Sequence, residues 1–72
     1  MLARVTRRRL GYLATTFTEL GFTPDHARQR ALLAYTAYLG HAQLAHATPD
    51  EAPADPELPG YVDEVIATLT AR

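Results

Sequence analysis

The chain contains no cysteine, no serine and no lysine. Without cysteine there are no disulfides and no thiolate metal ligands, a usage that fits a reducing compartment. Without serine or cysteine the chain also lacks the hydroxyl and thiol nucleophiles that those residues supply. No apolar run approaches the roughly 18 residues needed to cross a bilayer, and the arginines of Met1-Leu2-Ala3-Arg4-Val5-Thr6-Arg7-Arg8-Arg9 break up any secretory-signal core. The four glycines, Gly11, Gly21, Gly40 and Gly60, are isolated and form no phosphate-cradling loop. No segment alternates like a strand. Seven arginines against eight carboxylates give a net charge of −1, so no overall field draws the chain to nucleic acid. The expectation is a soluble, cytoplasmic protein without a cofactor.

What is present is helical patterning. The 72 residues, 47% of them hydrophobic, are enough for one domain or part of one. A single core at this size is marginal unless disulfides, metal or oligomerisation adds to it. The spacing predicts three helices, at about 2–20, 24–46 and 56–70, and an all-α fold. In the first, Leu2, Val5, Leu10, Leu13, Phe17 and Leu20 share a face with Tyr12 at its margin. Gly21 can close it in the left-handed conformation while Phe22 folds back onto the last turn.

The second helix is the one around which the rest is arranged. Thr23 can cap it, Pro24 suits its first position, and Asp25 complements the positive end of its dipole. Wound at 100° per residue it carries two apolar stripes. One is Ala27, Ala31, Ala34, Tyr35, Tyr38, Ala42 and Ala45, flanked by Leu32 and Leu39; the other is Leu33, Ala37, Gly40 and Leu44. A helix with two broad apolar faces sits between layers, and one of those layers is expected to be a second copy of the chain.

The acidic, proline-rich stretch from Ala47 to Asp55 reads as a linker, with capping-box spacing from Thr48 to Glu51 that allows one helical turn before Pro53. Asp55-Pro56 offers another cap-and-proline start. Leu58, Tyr61, Val62, Val65, Ile66 and Leu69 then form one stripe of the last helix, with Asp63 and Glu64 opposite.

Residues with chemical potential do not assemble into a catalytic pattern. His41 and His46, five apart, fall on different faces, whereas a helical zinc pair needs a spacing of three or four; no metal is expected, and the histidines read as edge residues. Asp50-Glu51 and Asp63-Glu64 have no visible means of desolvation, which general acid–base work requires. The chain is therefore not expected to be an enzyme. Arg4, Arg7, Arg8 and Arg9 form the one basic cluster, with no helix-turn-helix, zinc finger, basic zipper or aromatic platform beside it. It reads as a solvated face in which Arg9 alone falls inside the apolar arc.

Four stretches carry a family resemblance. Arg7-Arg8-Arg9-Leu10-Gly11-Tyr12-Leu13, Leu20-Gly21-Phe22-Thr23-Pro24-Asp25 and the run from Ala27 to Gly40, followed by Tyr61-Val62-Asp63-Glu64-Val65-Ile66-Ala67-Thr68-Leu69, resemble the C-terminal end of TetR-family transcriptional regulators. That resemblance covers nearly the whole sequence and is a pattern of small, apolar and aromatic residues. It implies a C-terminal regulatory segment that dimerises, its last two helices pairing with those of a second copy in a four-helix bundle. The parent regulator would bind DNA through an N-terminal helix-turn-helix and a small-molecule effector through its C-terminal domain; the helix-turn-helix is not among these 72 residues. The dimer surface expected on this basis is Ala27, Ala31, Ala34, Tyr35, Tyr38, Ala42, Val62, Val65, Ile66 and Leu69. Two other readings stand beside it. One is an autonomous helical protein-interaction module; the other is a small-molecule-binding protein with Tyr12 and Phe17 as ligand contacts beside Tyr35 and Tyr38.

Overall fold

The computed structural model describes residues 2–72. It is all-α, with helices α1 (Leu2–Glu19), α2 (Pro24–Ala47) and α3 (Leu58–Thr70), and with short 3₁₀ turns at Pro49–Glu51 and Asp55–Glu57. The chain gathers into two compact units, Met1–Ala37 and Tyr38–Arg72, and α2 runs through both. The boundary cuts neither linker nor turn. It falls inside the helix with two apolar faces, where the cover on α2 passes from one neighbouring helix to another.

In the N-terminal unit the end of α1 is fixed by backbone chemistry. Gly21 takes φ 103°. Its N–H donates to the Thr18 carbonyl at 3.0 Å and the Phe22 N–H donates to the Phe17 carbonyl at 3.1 Å. This pair of bonds satisfies the orphan carbonyls of a helix terminus and requires a left-handed residue between them. A side chain at Gly21 would be strained by about 1–2 kcal/mol. The same closure brings the Phe22 ring edge-on to Phe17, with centroids 5.7 Å apart and planes at 81°. α2 begins two residues later as its sequence dictates, the Thr23 hydroxyl accepting from the His26 N–H at 3.3 Å with Pro24 in the first helical position.

The inner face of α1 is Thr6, Leu10, Leu13, Ala14 and Phe17. Leu10, Leu13 and Phe17 are where the periodicity puts them. Leu2 and Leu20 are exposed at the ends of the expected stripe, while Thr6 and Ala14 take part of the inner line. Three further threonines sit within α1 without disrupting it, because their hydroxyls donate back to the carbonyls four residues earlier: Thr15 to Gly11, Thr16 to Tyr12 and Thr18 to Ala14, at 2.9–3.1 Å. The buried core consists of Phe17, Phe22, Ala27, Ala31 and Tyr35, all within this unit. Ala27 and Ala31, at 0% and 1% exposure, let the helices approach closely.

In the C-terminal unit α3 is started by a device the sequence pattern does not indicate. Ala54, not Asp55, stands at the cap position of the preceding 3₁₀ turn, and its N–H donates to the Glu57 carboxylate at 3.1 Å. Glu57 and Leu58 both donate backbone N–H groups to the Ala54 carbonyl, so the turn runs directly into α3. The Thr48 hydroxyl makes no capping bond to the turn after it; it lies 3.4 Å from the Leu44 carbonyl behind it.

Candidate functional site

The C-terminal unit has no fully buried residue; its best covered side chains, among them His41, Leu58, Val65 and Leu69, are only half-buried. His41 is therefore not the edge residue the sequence suggests. Its imidazole stacks on the Tyr61 ring at 5.7 Å with planes 23° apart, which ties α3 to the second half of α2. Val65 and Leu69, one and two turns beyond Tyr61, continue the half-buried line, as expected if α3 doubles back along α2.

From this line the exposed apolar residues can be placed by helical repeat. Tyr38 and Ala42 lie on one flank of the His41 line, and Val62 and Ile66 on one flank of the Leu58–Val65–Leu69 line. Tyr38 is 59% exposed and Ile66 53%, with Val62 also open to solvent. Tyr38 with Ala42 on α2, and Val62 with Ile66 on α3, are thus the apolar strips this unit leaves exposed. The opposite flank of α3 carries Glu57, Gly60 and Glu64, which with Asp50, Glu51 and Tyr61 line an open, acidic concavity of about 540 Å³.

The ten residues expected to meet a second copy thus have different surroundings. Ala27, Ala31 and Tyr35 are buried in the N-terminal unit of a single chain, and Ala34 is half-buried. The cover on that part of the stripe comes from the same chain, because α1 lies against it. Val65 and Leu69 are half-buried. Tyr38, Ala42, Val62 and Ile66 reach solvent.

Tyr12 and Phe17 are not brought together. Tyr12 is 74% exposed, whereas Phe17 is part of the core. An open groove of about 400 Å³ in the N-terminal unit is lined by Leu10, Asp25, Arg28, Gln29 and Leu32 instead. Its one cation, the Arg28 guanidinium, already donates to the Asp25 carboxylate at 2.8 Å. Arg30 lies with its guanidinium carbon 5.3 Å from the Phe22 ring centroid, a favourable cation–π placement. Arg4, Arg7, Arg8 and Arg9 are all exposed, Arg9 included.

Among the described residues no cluster of histidine, cysteine, aspartate and glutamate could hold a metal ion. Among the described residues no helix is long and apolar enough to cross a membrane. The class these features define is an all-α chain of two compact units with exposed apolar residues on the second. No family model, curated protein or solved structure matches the chain.

Proposed function

We propose that this chain is a homodimerisation segment, of the kind the C-terminal end of a TetR-like regulator would supply, acting in the cytoplasm with neither a DNA-reading element nor catalysis of its own. The observation that carries this reading is the C-terminal unit: it is compact and helical, buries no side chain fully, and leaves Tyr38, Val62 and Ile66 open. Such a unit gains little from the hydrophobic effect by itself. A second copy supplies the missing cover at no cost in new sequence, since a twofold interface uses one surface against itself or against its own neighbour. The area fits. The chain exposes 5784 Å², whereas a folded monomer of its mass exposes about 4,400 Å²; the excess exceeds the roughly 800 Å² that each partner contributes to a standard interface.

Light scattering at micromolar concentration tests this, with an expected mass of twice the 7.9 kDa chain. Ile66→Arg adds a charge to the strip without touching the core, and is expected to weaken association about a hundredfold, roughly 3 kcal/mol. A wild-type monomer with full helicity overturns the proposal; an Ile66→Arg dimer of unchanged stability removes Ile66 from the interface.

A further inference from the structure

The overall charge of −1 conceals a strong division between the two units. Met1–Ala37 holds six arginines and two carboxylates, a net +4; Tyr38–Arg72 holds six carboxylates and one arginine, a net −5. The positive end is concentrated on α1. By helical repeat Arg4 and Arg8 project away from the Leu10–Phe17 line, with Arg7 one step round. Among the described residues no ion pair joins Arg4, Arg7, Arg8 or Arg9 to a carboxylate. The one acidic residue of α1 is Glu19, at its far end. The negative end is spread over the 3₁₀ turns and α3, at Asp50, Glu51, Asp55, Glu57, Asp63 and Glu64.

We infer that two copies associate with the N-terminal unit of each against the C-terminal unit of the other, the α1 arginines of one copy facing the acidic turns and α3 of its partner. This deepens, and rests on, the homodimer reading: it names which unit of one copy meets which unit of the other. Two copies joined like to like would set −5 against −5 or +4 against +4, and like-charge juxtaposition is a means by which interfaces reject a partner. The reciprocal pairing places opposite charges together twice and is closed by one twofold axis. It also places apolar surface against apolar surface, because the N-terminal unit leaves Leu2, Tyr12 and Leu20 open. Arginine suits the role. Its guanidinium pairs with carboxylates in a fixed fork and stacks on aromatic faces.

The test is reciprocal charge reversal. Arg4→Glu, Arg7→Glu and Arg8→Glu together turn the N-terminal unit to −2, giving a chain negative at both ends. Asp50→Arg, Glu51→Arg and Asp63→Arg together turn the C-terminal unit to +1, giving a chain positive at both ends. All six side chains are exposed. At about 0.01 M ionic strength, where the Debye length is roughly 30 Å, each variant alone is expected to dimerise at least tenfold more weakly than wild type. Mixing the two is expected to restore a mixed dimer, identified by its intermediate mass in native mass spectrometry. Wild type needs no substitution to report: its dimer is expected to weaken as ionic strength rises to about 1 M, where the Debye length is roughly 3 Å. A wild-type dimer that tightens with salt, or variants that dimerise alone and do not prefer each other, overturns the reciprocal pairing and leaves the homodimer standing. A wild-type monomer at both ionic strengths overturns both.

Discussion

Replacing Ala31 with glutamate is expected to unfold the N-terminal unit. Ala31 is 1% exposed, on the line of α2 between Ala27 and Tyr35. A glutamate there is both too large for the gap and charged. An uncompensated buried charge costs about 3–5 kcal/mol, while natural domains are stable by only roughly 0.05–0.15 kcal/mol per residue. A chain this short has little to spare. Circular dichroism should show the loss as a fall in helicity and in melting temperature. Ala42→Glu is the matched control: the same substitution on the same helix at an exposed position should leave a single chain folded and act on association alone. Ala31→Glu with unchanged melting would mean that α1 does not cover α2 as described.

The second large effect is expected at Phe17. Phe→Ala in a packed core costs about 3–5 kcal/mol through lost transfer energy and the cavity left behind, which for a chain of this length lowers the melting temperature by roughly 15 °C or more. Part of that loss belongs to the edge-on contact with Phe22, 5.7 Å away. A double-mutant cycle with Phe22→Ala should return a coupling of about 0.5–1.5 kcal/mol. A loss below about 1 kcal/mol for Phe17→Ala would remove Phe17 from the core.

Much of this arrangement could be read from the sequence because helix ends are written in local chemistry. Gly21 with Phe22, and Thr23 with Pro24, have conformational preferences that depend on near neighbours only, and α1 and α2 end and begin where those residues require. Ala54 and Glu57 escaped the same reading because Asp55-Pro56 shows the residue types of a start one position later, and a backbone N–H at an alanine leaves no mark in the pattern. The two apolar stripes of α2 were also plain, although Leu33 and Leu44 of the second stay exposed. What covers each face was not: Ala27, Ala31 and Tyr35 show the same periodicity whether α1 or a second chain lies against them. Contacts between helices were hidden for a related reason. The Arg30–Phe22 and His41–Tyr61 placements depend on which turns come to lie side by side, and repeat analysis assigns faces, not neighbours. The division of charge was lost by summing over the whole chain.

Helix α2 is continuous in its hydrogen bonding but divided in what protects it. Its first half sets Ala27, Ala31 and Tyr35 into a core with Phe17 and Phe22, and in its second half no side chain is fully covered. Local opening follows such differences: segments with few buried contacts open at a free energy well below that of global unfolding. Amide hydrogens of α2 before Ala37 are therefore expected to exchange chiefly when the N-terminal unit opens, and those after it by fraying from Ala47 inward. The proposed partner would act on that gradient, lengthening the protected part of one helix rather than creating a new one.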